Sequence, residues 1–468
     1  MNPVQDPIVG AFAGLLARDP DAVCVRSVEQ RATRRDVDAL AQVVANRLQR
    51  AGLAPGATVA LAAPNGPGFL GGLLGCLMAR HPVVLLDDEV ARREGPQAAE
   101  SLGATALLTC AAWPSTRAPY VLRPLPNAVS RALPQGTTVL KMTSGSTGTP
   151  RAVAFDSQAL MADCTQLART MLIPPADRLL ATVPMSFSYG LGSLALPALV
   201  MGNELVLADA LNPVATLAVA EQCRATVFPT VPVFLQALLR LEVRVLPSML
   251  RLVISAGAPL SSAAARGFRA RFGRPIHTFY GCSECGGISY DRTGNAAERG
   301  TVGTPVDGVR VELIGQEGSL AVRSAAVGLG YVPGDDDDAL HEGRFRTADC
   351  GAIDPITGEI RLLGRRSDVV NVGGRKVHPR EIEQVIAQVP GVDDVVVIGE
   401  TLQDRATEVC HAVIAARADS GLTARAVREH CARALAAHKV PKLVTLVGEI
   451  PRTERGKLDR ARLRQNTK

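Results

Sequence analysis

A chain of 468 residues, 47% hydrophobic and 21% charged, carries enough apolar material for a large core and more than one domain, and lies outside the composition of disordered or fibrous proteins. Its net charge of +6, from 51 basic and 45 acidic residues, permits anionic substrates. Without a long Lys/Arg block or interleaved aromatics, it does not argue for nucleic acid. The first residues lack a positive start followed by a long apolar run, and no apolar stretch reaches bilayer length, so neither a secretory signal nor a membrane span is expected. Ten cysteines scattered among apolar neighbours, as around Cys76, Cys110 and Cys410, fit a reducing cytoplasm. Cys282 and Cys285 form a CxxC, but with no second pair the spacing does not argue for zinc.

In chain order, Val37, Leu40, Ala41, Val44, Ala45 and Leu48 recur at helical spacing and predict a core-facing amphipathic helix within residues 34–53. A strand at 58–62, a Gly-rich helix through 72–78 and a strand at 83–86 ending in Asp87-Asp88 follow. Strand and helix alternate, which predicts βα units and parallel strands. Two apolar runs, 139–140 and 152–155, bracket the sequence Thr143-Ser144-Gly145-Ser146-Thr147-Gly148-Thr149-Pro150. Glycines let backbone N–H groups turn toward an anion and the hydroxyls add donors, so this composition suits polyphosphate. It is not the GxxxxGK[ST] nucleotide loop, because no Lys-Ser or Lys-Thr follows the glycines.

Asp156 can cap a helix whose apolar face includes Leu160, Cys164, Leu167 and Met171. A strand at 179–183 then leads into Pro184-Met185-Ser186-Phe187-Ser188-Tyr189-Gly190. Gly190-Leu191-Gly192 with Ala195 lies inside an apolar helix-like run with no ribose-binding acid after it, which excludes a dinucleotide reading. Further strands are expected at 204–207, 226–228, 250–254 and 276–279, with helices to about 224 and over 233–240. No internal repeat appears. Strands at 392–398 and 409–415 and a helix over 423–437 complete a small α+β region, where His378, His411, His430 and His438 show no ligand spacing. Glu381 and Glu383 read as helix-start acids after Pro379.

TSGSTGTPR resembles the signature loop of the adenylate-forming superfamily, which includes acyl-CoA and aryl-CoA synthetases, peptide-synthetase adenylation domains and luciferases. The resemblance implies that Thr143, Ser144, Gly145, Ser146, Thr147 and Gly148 embrace the β and γ phosphates of ATP while a carboxylate attacks the α phosphate. Arg151 stands where the family usually has Lys, so a forked donor replaces a point charge. LMARHPVVLLD resembles an early core motif with a packing role. Phe187, with Ser188 and Tyr189, falls where the family places an aromatic or His beside the carboxylate pocket. Gly257-Ala258-Pro259 resembles its adenine-contacting turn. Tyr280-Gly281-Cys282-Ser283-Glu284 resembles its Tyr-Gly-x-Thr-Glu motif, which implies Tyr280 against adenine, Ser283 near the α phosphate and Glu284 on Mg²⁺. A carboxylate beside phosphates makes physical sense when a cation neutralises both.

The same resemblance assigns Asp349, in Phe345-Arg346-Thr347-Ala348-Asp349, to the ribose hydroxyls; an acceptor-only carboxylate suits two adjacent donors. Asp335 through Asp338 read instead as a solvated acidic loop. Arg365 matches a nucleotide-contacting Arg, and Ser367 occupies an interdomain hinge position that is commonly Asp or Lys. Gly373 and Gly374 match the family's thiol channel. Lys457, after Gly456 near the end, matches the lysine that reaches the carboxylate and α phosphate, where an ammonium stabilises developing charge.

The resemblance therefore implies an α/β fold: a large N-terminal domain of βα-built sheets with helices, residues 1–363, and a small mobile α+β domain, 364–468. It implies ATP and Mg²⁺, a small-molecule carboxylic acid, and a thiol acceptor that is CoA or a separate phosphopantetheinyl carrier protein, since no carrier domain follows Lys468. Amino-acid-activating relatives place an Asp after the aromatic at Phe187. Ser188 stands there, so an aryl or fatty acid is expected, because a buried ammonium without a counter-charge is costly. Three readings stay open: an acyl- or aryl-CoA ligase, a stand-alone enzyme loading a carrier protein, and a non-catalytic ligand-binding relative.

Overall fold

The apolar runs TVALA and VVLL contain no alternating polar residue, and each becomes a strand buried along its whole length: Thr58–Ala62 and Val83–Leu86. A run of that kind suits a parallel strand covered on both faces. They pair in parallel with each other and with Ala104–Thr109 and Val139–Thr143. Antiparallel strands, among them Arg151–Phe155 and Gly330–Val332, complete a seven-stranded sheet. The computed structural model describes residues 6–463 except 95, 115–119, 130, 144–149, 210, 242, 244, 316–317, 335–338, 373–374, 402–407, 418–419, 453–457 and 460–461.

A second sheet of nine strands has at its centre the parallel strands Glu204–Leu207, Arg178–Ala181, Val227–Thr230, Leu252–Ser255 and His277–Cys282. Gly286–Tyr290 adds to the last of these in antiparallel fashion. The expected strands are all present, with ends that differ from expectation by up to three residues. Arg34–Arg50 forms the expected amphipathic helix, started by a reciprocal capping box between Thr33 and Asp36. Ser157–Thr170 is capped as expected, Asp156 accepting from the Ala159 N–H at 2.7 Å.

Some elements differ from the sequence expectation. A helix at Pro7–Arg18, capped by Asp6, and a strand at Val23–Arg26 precede the first predicted element. The Gly190-Leu191-Gly192 run is helical, as expected, but its turns at Leu191–Ala195 and Pro197–Met201 are of the wider π type. Such turns are uncommon and concentrate at functional sites.

The chain divides into two compact units: Met1–Arg299 with Gly303–Val311 and Val322–Phe345, and Gly300–Val302 with Glu312–Ala321 and Arg346–Lys468. The larger contains both large sheets and is α/β; the smaller is α+β. In the smaller unit Val392–Thr401, Glu408–Ala416 and Leu443–Val447 form a three-stranded sheet. Its core joins Val370, Ile382, Ile386, Val397, Ile414 and Val427. Glu381 does sit in the first turn of Pro379–Ile386, but Glu383 accepts the Val397 N–H at 2.9 Å and ties that helix to the sheet. His411 is buried and satisfied, between Glu400 at Nδ1 and the Thr445 hydroxyl 2.8 Å from Nε2. Among the described residues no helix is long and apolar enough to cross a membrane.

Candidate active site

Residues 280–284 sit where His277–Cys282 turns back into Gly286–Tyr290. The register shifts between Tyr280 and Gly281, a bulge that redirects the side chains that follow. Only glycine fits at 281, since a Cβ there would lie 2.5 Å from the Gly286 carbonyl oxygen. Glu284 is gripped at backbone and side chain. Its carbonyl accepts the Gly328 N–H at 2.9 Å, and its Oε1 accepts the Tyr331 hydroxyl at 3.2 Å. The Arg151 guanidinium lies 4.3 Å from the centre of the Tyr331 ring. Arg151 pairs across the strands with Thr143, whose hydroxyl donates to the Arg151 carbonyl at 3.2 Å. One contact chain thus runs from the base of the Ser/Thr/Gly loop through Arg151 and Tyr331 to Glu284.

Burial, and secondarily the negative charge of Glu284, push the Tyr331 phenol well above its ordinary value, so the phenol remains a donor to the carboxylate. Tyr331 was not anticipated from sequence. Its one signal was position, an aromatic directly after Gly330 in a chain with five tyrosines. Cys282 and Cys285 bring their sulfurs to 3.2 Å. Their mutual hydrogen bond, and then burial, hold the Cys282 thiol well above its usual value, which disfavours the thiolate that metal or redox chemistry needs.

Asn65 braces the segment leading to Phe187 by donating to the Val183 carbonyl at 2.9 Å and accepting the Met185 N–H at 2.8 Å. It too was missed. Phe187 then precedes the short helix Ser188–Gly190. Tyr189 donates to the Ile254 carbonyl at 3.3 Å, and its ring centre lies 5.7 Å from that of Phe279. The aromatic segment is thereby fastened over the end of Leu252–Ser255, directly before Gly257, Ala258 and Pro259. Gly257 has φ +82, a turn conformation glycine supplies without strain. A cavity of about 650 Å³ opens nearby at strand ends of both large sheets, with Asn65, Asp87, Trp113, Thr182 and Ser186 in its wall. Its wall includes Pro184 and Ser186, which lead into Phe187, but not Phe187, Tyr189 or residues 280–284 themselves.

In the smaller unit, Asp349 and Arg365 face each other across the hairpin of Arg344–Ile353 and Ile360–Arg365, Nε to Oδ1 3.6 Å. Thr347 accepts the Asp349 N–H at 3.1 Å. The backbone of Ser367 lies in the single turn Arg366–Asp368. Ser144, Gly145, Ser146, Thr147, Gly148, Gly373, Gly374 and Lys457 lie outside the described residues.

The model of the AMP-binding enzyme matches residues 12–332, and that of the AMP-binding enzyme C-terminal domain matches 381–457. The chain belongs to the AMP-binding enzyme family. This AMP-binding enzyme is 29% identical to a feruloyl-CoA synthase of an Amycolatopsis species over 478 aligned residues, covering 95% of this chain and 96% of that protein. It is 28% identical to a sulfoacetate–CoA ligase of Cupriavidus necator over 455 residues, 88% of each. The crystal structure of ATP-bound MatB from Rhodopseudomonas palustris superposes with a TM-score of 0.83 at 25% identity, covering 98% of both chains. The AMP-binding enzyme is accordingly an adenylate-forming ligase that activates a carboxylic acid with ATP to an acyl-AMP.

Proposed function

We propose that the acid is an aryl or fatty carboxylate and that the acyl group passes from the adenylate to the thiol of CoA. The observation that carries the substrate class is the segment after Phe187. It continues as Ser188 and Tyr189, Tyr189 is fastened next to Phe279, and no carboxylate follows the aromatic to hold an α-ammonium. A relative named for a feruloyl substrate supports an aryl acid, and relatives named as CoA ligases or synthases support the acceptor.

In this reading the loop of residues 143–148 and Arg151 bind the β and γ phosphates, Tyr280 and the turn at 257–259 take the adenine, Asp349 takes the ribose hydroxyls, Arg365 contacts the nucleotide, and Lys457 acts on the α phosphate. Gly373 and Gly374 line the thiol's approach, and Ser367 stands at a pivot between domains 1–363 and 364–468. Glu284 would hold Mg²⁺. Its carboxylate, with one oxygen engaged by Tyr331, is a hard oxygen donor of the kind such an ion takes. The ion supplies neutralisation of phosphate charge. The protein's own groups do the rest: Arg151 fixes the tail of the leaving pyrophosphate, and Ser283 offers a hydroxyl at the reacting phosphate.

The test is a panel of aryl, fatty and α-amino acids with Mg–ATP, read by acid-dependent ATP–pyrophosphate exchange, followed by thioester formation with CoA or with holo-carrier protein. Aryl or fatty acids should drive exchange and CoA should accept the product. Exchange driven best by α-amino acids, or thioester formed only on the carrier, would overturn the corresponding half of the reading.

A further inference from the structure

Two ionisable side chains that the reaction as described does not use are buried beneath the 280–284 turn. Asp163 lies on the core face of Ser157–Thr170 and is 4% exposed; Lys141, on Val139–Thr143, is 2% exposed. A buried charge pair adds little net stability, and apolar residues of similar size often serve a core as well. The contacts of Asp163 are specific. Its Oδ1 accepts the Gly287 N–H at 2.9 Å. The Gly286 backbone approaches so closely that a Cβ there would lie 2.2 Å from Oδ1, and a Cβ on Gly192 would lie 2.9 Å from Oδ2. One carboxylate is therefore enclosed by the residues that directly follow Glu284 and Cys285 and by the π turn that directly follows Tyr189.

Lys141 supplies the counter-charge. Burial pushes its ammonium down and the Asp163 carboxyl up, and each opposes the shift of the other. The Lys141 Nζ also sits 3.8 Å from the centre of the Phe155 ring, and Glu284 is among the groups whose negative charge it feels.

We infer that Asp163 is a positioning residue for adenylation: from beneath Gly286 and Gly287 it fixes the turn bearing Ser283 and Glu284 against the helix that carries Tyr189. The inference rests on the reading of those two segments as the phosphate and acid sides of the site. A carboxylate hydrogen-bonded to one segment and closely packed against the other sets the spacing between the attacking acid and the α phosphate. Misplacement of about 1 Å in such a geometry costs on the order of a hundredfold in rate.

The experiment compares wild type, Asp163→Asn, Lys141→Met and the double variant, with the most active acid of the panel. Exchange rates are normalised to folded protein, and Mg–ATP binding and thermal unfolding are measured alongside. Asp163→Asn can keep an acceptor for Gly287 but leaves Lys141 without its counter-charge. It should lower kcat at least about tenfold and raise the KM of the acid, while Mg–ATP affinity changes less than about threefold. The double variant, which removes both charges, should recover part of the kcat lost by Asp163→Asn. A purely structural role predicts a lower unfolding temperature with wild-type kcat per folded molecule, and that result would overturn the inference. If Asp163→Asn does not fold, Gly192→Ala, which presses a methyl toward Oδ2, must show the same split between kcat and nucleotide binding or the inference fails. Absence of exchange in wild type would sink the functional reading and this inference together; active wild type with unaltered kcat in the variants would sink this inference alone.

Discussion

The hairpin that carries Glu284 and the hairpin that carries Asp349 share a plan. Each is antiparallel, each slips register beside its candidate residue, between Tyr280 and Gly281 or between Cys350 and Gly351, and each needs glycine at the slip. A Cβ at Gly281 would meet the Gly286 carbonyl at 2.5 Å, and one at Gly351 the Arg361 carbonyl at 2.8 Å. Their supports differ. Glu284 is held through its backbone by Gly328 and through its carboxylate by Tyr331, with Asp163 beneath the following residues. Asp349 faces Arg365, whose side chain is 61% exposed, in an ion pair of the kind that contributes about 0–1 kcal/mol. The first hairpin has its carboxylate fixed by a phenol from a distant strand, whereas the second pairs its carboxylate with a largely exposed arginine of the adjacent strand. Preorganisation is valuable where charge develops, the role proposed for the Glu284 turn, whereas the ribose contact proposed for Asp349 needs only correct reach.

That contrast is broken most directly at Glu284. Glu284→Gln keeps the size and the acceptor for Tyr331 but removes the charge proposed to meet Mg²⁺. Exchange should fall on the order of a hundred- to a thousandfold with the unfolding temperature close to wild type. A loss below about fivefold would show that the turn's rigidity serves packing and not phosphate chemistry. Asp349→Ala should act differently. Losing the hydrogen bonds proposed between this carboxylate and two ribose hydroxyls should raise the KM for ATP by roughly thirty- to a hundredfold, while stability falls by no more than about 1 kcal/mol, the scale of a partly exposed ion pair such as Asp349–Arg365. A fall in kcat without a change in KM would place Asp349 with the preorganised group instead.

The two motifs were picked out in the sequence by resemblance, because each is a contiguous run; the antiparallel hairpins that bear them were not expected. Tyr280-Gly281-Cys282-Ser283-Glu284 and Phe345-Arg346-Thr347-Ala348-Asp349 each hold the candidate residue within five consecutive positions, the first running past the end of His277–Cys282 and the second lying inside Arg344–Ile353. The supports were not legible, because they come from distant segments. Tyr331 reaches Glu284 across 47 positions, Asn65 reaches Met185 across 120, and Asp163 reaches Gly287 across 124. Asp163 also interrupts an otherwise apolar face, where periodicity picks out Leu160, Cys164 and Leu167 and passes over the charge between them. The βα alternation predicted the parallel sheets because fully apolar runs leave few other options. The π turns after Tyr189 carry no such signature, since an apolar helix and its π-widened form share one composition.

The smallest effect is expected at Tyr331, and it sharpens the contrast by removing one support while leaving Glu284 in place. Tyr331→Phe deletes the hydroxyl that orients the carboxylate but keeps the ring against Arg151. The Mg²⁺ concentration needed for half-maximal exchange should rise about tenfold, the change expected on removing a group that orients the carboxylate proposed to hold the ion. The pH dependence gives an independent check. Burial raises the folded-state phenol above the value near 10 expected of the unfolded chain, so the folded protein holds the proton more tightly. Its contribution to stability is full below about pH 10 and declines as pH climbs from there toward the raised folded value, because the unfolded chain loses the proton first. Unfolding temperature should therefore fall less steeply above pH 10 in Tyr331→Phe than in wild type, with the two slopes alike between pH 7 and 9. Identical alkaline slopes would mean that the phenol titrates as freely as in the unfolded chain, and Glu284 would then have no protected donor.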